Sequence, residues 1–411
     1  MSSGNILEWF DFGIFIFLAP VIGQQFFPTH DPLTASIAAY AVFAVGFLCR
    51  PLGGIFFGHR GDTRGRANTL RLSILLITST TFLVGLLPTY HTIGILSSIL
   101  FVLLRIAQGI SVGGEYSGVM VYLAESAPAK HRGFITSFAA TGANIGFLLA
   151  TFAVMLLQNY LASDVFDRWG WRLPFLLAGS MGSVVLYYRL HLQETPAYTA
   201  LKLQNRLSRS PFLIALTKSP RQLLRILGLT CMSATFYYVF FGYMTNYLEN
   251  FLGIKAHIAL LLQSVLLIAM LVLVPLAGYL GDRLGRKRML LFTVLSIILL
   301  ALPCFYLLQT KAILLIAVAW SVATIISSGD QGNSLTTVVE NCPAEVRYSG
   351  IAFSYNVGMA IFGGTAPLIV SLLSKQFGAI APAYYLIVMA MVSLVAILSL
   401  PPRNKNVAVL I

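Results

Sequence analysis

Between Ile258 and Ala277 twenty consecutive residues carry no charged side chain. As an α-helix such a run spans roughly 30 Å, the thickness of a bilayer's hydrocarbon core. Similar stretches recur along the whole chain. Cutting them at clusters of charge, Pro and Gly predicts twelve helical spans, near residues 4–27, 35–57, 70–88, 93–124, 134–158, 172–190, 225–249, 257–280, 288–308, 312–339, 350–374 and 380–400. The chain reads as an all-α polytopic membrane protein. Its 411 residues are 57% hydrophobic and only 10% charged, against about 25% charged in a soluble domain, so a soluble enzyme is excluded.

The net charge of +13 would suggest nucleic acid in a soluble chain. Here most Lys and Arg fall in alternate loops, at 58–71, 125–133, 189–225 and 281–288, while the opposite loops hold Arg168, Arg172, Lys255, Lys311 and Lys375. That asymmetry marks a cytoplasmic side and places both termini there; no nucleic-acid partner is expected. No Lys or Arg precedes Arg50, so the first span is a retained helix and not a signal peptide. Cys49, Cys231, Cys304 and Cys342 have no paired spacing, and the six His stand singly. Neither disulfides, a metal nor another cofactor is expected. No Gly-x4-Gly-Lys-Ser/Thr segment is present for nucleotide hydrolysis.

Two segments repeat. Gly58-His-Arg-Gly61-Asp62-Thr-Arg-Gly65-Arg66 follows the second span, and Gly278-Tyr-Leu-Gly281-Asp282-Arg-Leu-Gly285-Arg286 follows the eighth. Glu125-Ser-Ala-Pro128-Ala129-Lys-His-Arg132 after the fourth matches Glu340-Asn-Cys-Pro343-Ala344-Glu-Val-Arg347 after the tenth. The chain is two parallel six-helix halves, 1–190 and 225–402, joined by a linker at 191–224 and followed by a tail at 403–411. Repeats of this kind place a binding site between the halves near mid-membrane.

An ordered set of motifs now resembles the major facilitator superfamily, and within it the metabolite:proton symporters, which include proline/betaine, α-ketoglutarate, citrate and shikimate permeases. The set comprises Gly4-Asn5-x2-Glu8-Trp9-Phe10-Asp11-Phe12, Arg50-Pro51-x-Gly53-Gly54, Arg105-x2-Gln108-Gly109-x3-Gly113-Gly114-Glu115, Trp169-Gly-Trp171-Arg172-x-Pro174-Phe175, Glu194-Thr195-Pro196 and Asn356-x6-Gly363-Gly364-x2-Pro367. The resemblance implies alternating access in a bacterial inner membrane by a monomer that imports a small organic acid or zwitterion with protons as the coupling ion. Ile14 and Phe15 depart from the usual Tyr and Gly after the first-helix Asp, so substrate contacts there differ. The long carboxy-terminal coiled coil of some osmosensing betaine transporters is absent, and osmosensing of that kind is not expected.

An ionised side chain at the bilayer centre costs at least about 2.5–3.5 kcal/mol on insertion scales, so each one is a functional candidate. Asn5, Glu8 and Asp11 fall at three-residue steps on one helix face, and Arg105, Gln108, Val112 and Glu115 form a stripe on the fourth span. Glu8, Asp11, Arg105, Gln108 and Glu115 are thus the proton-coupling and substrate candidates: protonating a carboxylate frees a guanidinium to receive a substrate carboxylate. By resemblance Asp11 and Arg105 align with the first-helix Asp and fourth-helix Arg of proton-coupled sugar porters. Depth reckoned from the helix ends favours Glu115 as the neighbour of Asp11, and both pairings stay open. The second half offers Tyr237, Tyr238, Asn246, Asp330 and Asn356 to enclose and hydrogen-bond a substrate.

At the cytoplasmic loops Asp62 and Asp282 can accept from backbone N–H groups at a helix start. With Arg66, Glu125, Arg132, Arg286, Glu340 and Arg347 they form, as the resemblance implies, gating pairs that break during transport. Internal charges argue against a passive pore. They leave import by symport and export of a metabolite, chelator or drug by proton antiport both open.

Overall fold

The computed structural model describes residues 3–28 and 32–401; the tail 403–411 and His30 lie outside them. Every regular element described is helical, and twelve helices are long and apolar enough to cross a membrane. In chain order they are α1 (Ser3–Phe26), α2 (Pro32–Arg64), α3 (Arg66–Leu86), α4 (Ile95–Ser126), α5 (Arg132–Tyr160), α6 (Leu173–Leu190), α7 (Pro220–Glu249), α8 (Ala256–Leu284), α9 (Arg286–Gln309), α10 (Ile313–Glu340), α11 (Ala344–Phe377) and α12 (Ala381–Leu398). Leu48, Leu83, Val272 and Leu299 are exposed on their outer faces, apolar surface that only lipid would cover favourably.

The stretch expected as linker folds into two short helices, Pro196–Leu203 and Pro211–Lys218, and α7 starts at Pro220, before the expected limit. Pro at the first helical position needs no N–H partner and presets φ. Leu223 and Ile226 turn inward while Arg221 stays exposed, so the charges that marked a loop lie on the outer face of a first helical turn.

The halves meet along α2 against α11 and α5 against α8. Small residues make this possible: a Cβ on Gly54 would stand 2.4 Å from the Ala352 carbonyl oxygen, and one on Gly58 2.7 Å from Ser349 Cα. The repeated loops turn on Gly65 at φ 102° and Gly285 at φ 100°, a left-handed conformation that disfavours any side chain. In the second half α7 and α11 each relax into a π turn, Tyr238–Tyr243 and Met359–Gly363, a local widening frequent at functional sites.

Candidate functional site

Asp11 is fully buried, and Arg105 Nη1 meets its Oδ2 at 2.9 Å. Its other oxygen accepts from Gln108 Nε2 at 3.0 Å and Thr81 Oγ1 at 3.1 Å. Gln108 also accepts from Arg105 Nη1 at 2.6 Å, and the guanidinium stacks 3.7 Å from the Phe15 ring centroid. Phe15, the departure at this position, thus caps the pair with an aromatic face. Thr81 is the member that sequence reasoning missed; a hydroxyl inside an apolar span was its only signal.

Glu115 is not the neighbour of Asp11. Its carboxylate is forked by Arg189, with Nη1 at 2.8 Å from Oε2, and Ser73 Oγ donates to Oε2 at 2.6 Å. Arg189, assigned to a loop by charge, is 2% exposed and also donates to the Leu70 carbonyl at 2.9 Å. The depth reckoning erred because α1 begins well below the end of α4: a Cβ on Gly4 would fall against Glu115 and Arg189. From that shared level, seven residues of α1 and ten of α4 climb about 10 and 15 Å, and the long Arg105 side chain closes the difference.

Between the halves lies a second set of buried polar groups. Glu8 is 1% exposed and its Oε2 has no hydrogen-bond partner. The strongest opposing charge acting on it is Arg50 of α2, a residue the motif contained but the sequence candidates omitted. Arg50 gives Nε to Asn356 Oδ1 at 3.2 Å, while its Nη2 is buried without a partner, as is Trp9 Nε1. Asn356 in turn donates across the halves to the Gly113 carbonyl at 2.7 Å. Tyr238 lies beside Arg50, and Tyr116 stacks on Tyr355 at 5.5 Å. Tyr237 donates to Asn144 at 3.2 Å, and Asn144 to Gln331 at 3.3 Å, another bridge between halves. A narrow cleft opens here, with Trp9, Phe12, Phe43, Tyr237, Tyr238 and Phe241 among its walls. Asn5 is turned away, donating to the Ala139 carbonyl at 3.0 Å. Asp330 is buried next to Ser233. Asn246 is exposed beyond the π turn of α7.

On the face that carries the linker, each half reaches into the other. Asp62 accepts from Tyr348 N at 3.2 Å and Ser349 N at 2.8 Å, at the start of the regular α-helical part of α11. Asp282 accepts from Gly133 N at 2.8 Å and Phe134 N at 2.9 Å, at the start of α5. Glu125 binds Arg66 at 3.2 Å and Arg347 at 2.9 Å; its repeat mate Glu340 binds Arg286 at 2.6 Å and Arg132 at 3.2 Å. All eight expected gating residues are brought together in two clusters. The linker joins the first: Thr195 Oγ1 donates to Glu125 Oε2 at 2.6 Å, and Glu194 accepts from Arg66 N at 3.0 Å. This face is closed.

Two helical bundles related by an internal repeat, with buried charges at their junction and two ion-pair clusters fastening one face, have the build of a membrane transporter. Residues 1–363 match the family model described as Major Facilitator Superfamily, and the chain belongs to that family. It is 38% identical over 408 residues to the proline/betaine transporter of Salmonella typhimurium, covering 97% of this chain and 82% of that one. The glycine betaine/proline/ectoine/pipecolic acid transporter OusA of Dickeya dadantii is 38% identical over 402 residues, 96% and 80% of the two chains. In fold it is similar to the proton:xylose symporter XylE bound to 6-bromo-6-deoxy-D-glucose, at a TM-score of 0.79 and 17% identity over 97% and 93%.

Proposed function

We propose that this protein is a monomeric, proton-coupled symporter of the bacterial inner membrane, importing a small organic acid or zwitterion, with its linker face and both termini in the cytoplasm. Protons are the coupling ion and no cofactor takes part. The observation that carries this reading is the sealed Asp11–Arg105 pair at 2.9 Å, a titratable carboxylate held away from water. Protonating Asp11 removes the charge that neutralises Arg105 and loosens α1 from α4; reionising it restores the clamp. The relatives' names, which speak of proline and betaines, support the zwitterion class, and the excess of Lys and Arg on the linker face supports the orientation.

The test is reconstitution into liposomes with an alkaline interior, followed by uptake of labelled glycine betaine, proline and carboxylates with and without a protonophore. Protonophore-sensitive accumulation is expected. Accumulation that ignores the protonophore would overturn proton coupling, and proton uptake into substrate-loaded vesicles as the substrate leaves would favour antiport.

A further inference from the structure

Glu8 and Arg50 take part in neither the Asp11 cluster nor the lock. Both are about 1% exposed, they lie on α1 and α2, and each keeps a buried polar atom without a partner, Oε2 on Glu8 and Nη2 on Arg50. Buried polar atoms are almost always hydrogen-bonded, and buried charges are paired, because desolvation otherwise costs several kcal/mol. Arg50 is the strongest opposing charge acting on Glu8, yet no ion pair joins the two among the described residues, and Tyr238 feels both of them.

We infer that Glu8 and Arg50 are the two poles of one binding site for a zwitterion: Arg50 Nη2 and Trp9 Nε1 receive a carboxylate, and Glu8 with the ring faces of Trp9 and Tyr238 receives a cationic nitrogen. The inference rests on the transport reading above and narrows its substrate class. Arg105 is the less suitable carboxylate ligand because Asp11 already neutralises it, and it sits within one half. Arg50, by contrast, is held at the junction by Asn356 of the other half through Nε, which leaves one edge of the guanidinium for an incoming anion. A bound zwitterion brings one charge of each sign and leaves the site neutral. A citrate-like polyanion would set a second negative charge against Glu8, and a simple amine would leave Arg50 bare. The aromatic cleft that shares Trp9 and Tyr238 suits a methylated or ring-bound ammonium, whose diffuse charge is attracted to ring faces.

The experiment measures binding by titration calorimetry on the full chain in nanodiscs, without any gradient. The probes are glycine betaine and 3,3-dimethylbutanoate, which has the same shape and carboxylate but carbon in place of the charged nitrogen. The wild type is expected to prefer glycine betaine, and Glu8→Gln to shrink that preference by roughly tenfold, weakening betaine more than its isostere. Arg50→Gln should weaken both, with Arg50→Lys intermediate. The Glu8→Gln readout is a ratio within one variant and so is independent of how much protein folds. An unchanged ratio in Glu8→Gln, full betaine affinity in Arg50→Gln, or a wild type that binds neither probe would overturn the two-pole site. Failure of proton coupling would instead appear as protonophore-insensitive uptake with this ratio intact.

Discussion

Gly133 and Gly278 touch backbone to backbone across the two halves: a Cβ on either would stand 2.6 Å from the other's carbonyl oxygen. The contact lies beside the Asp282 cap, and the alternating-access reading requires it to part when the linker face opens. Overpacking of this kind costs about 1–3 kcal/mol, and here the cost falls on one state of the cycle. Gly278→Ala is therefore expected to raise amide hydrogen exchange at the start of α5 and the end of α8, leaving α12 unchanged. Uniformly raised exchange would mean general destabilisation and would refute a state-specific effect.

Asp11→Asn keeps the shape of the buried cluster and removes its titration. Gradient-driven accumulation should be lost, while exchange of labelled for unlabelled substrate across the membrane persists. Accumulation at the wild-type level would remove Asp11 from coupling.

Arg105→Ala leaves Asp11 buried without its ion-pair partner, and breaking a buried pair on one side costs about 3–5 kcal/mol. Pairing it with Asp11→Asn should recover much of that loss. Thermal unfolding in detergent decides the matter: a double variant no more stable than Arg105→Ala would show that the pair does not act as a unit.

Cys342 reports on the lock. Burial pushes its thiol up from 9.0 to about 12, with Arg347 pulling the other way, so far less of it is ionised at pH 8 than of a solvated thiol. Glu125→Gln removes the charge that holds Arg66 and Arg347, and N-ethylmaleimide labelling of Cys342 at pH 8 should rise by at least about tenfold. Because the folded thiol holds its proton more tightly than the unfolded one, its contribution to the closed form is present below about pH 9 and is lost as pH climbs toward 12. Mass spectrometry of the labelled peptide checks both effects; equal labelling in wild type and variant would sever Cys342 from the lock.

The spans were legible because hydrocarbon imposes one length and one polarity on every crossing, and the two-half design because Gly65 and Gly285 repeat a backbone conformation that few residues tolerate. The two ion-pair clusters were legible in their membership: the sequence placed Asp62 and Asp282 at helix starts, but not that those starts belong to the other half. Partners inside the membrane were harder. Arg189 looked like loop charge because counting by sign ignores that a guanidinium at a helix end can fold back into the bundle. The Asp11–Arg105 pairing was hidden by an assumption that helices begin at one level, which Gly4 beside Glu115 contradicts. Arg50 was visible in a motif, yet nothing in one dimension could show Asn356 beside it.

The caps at Asp62 and Asp282 are exchanged, each half supplying an acid and receiving one on its own helix end. Two identical six-helix units facing each other about a two-fold axis would already own both fastenings. The present chain, with its linker tied to Glu125 through Thr195, is the covalent form of such a pair. Gene duplication followed by fusion would keep the closing device intact from the start and leave the two halves free to diverge everywhere else, the first gathering most of the internal charges while both line the aromatic cleft.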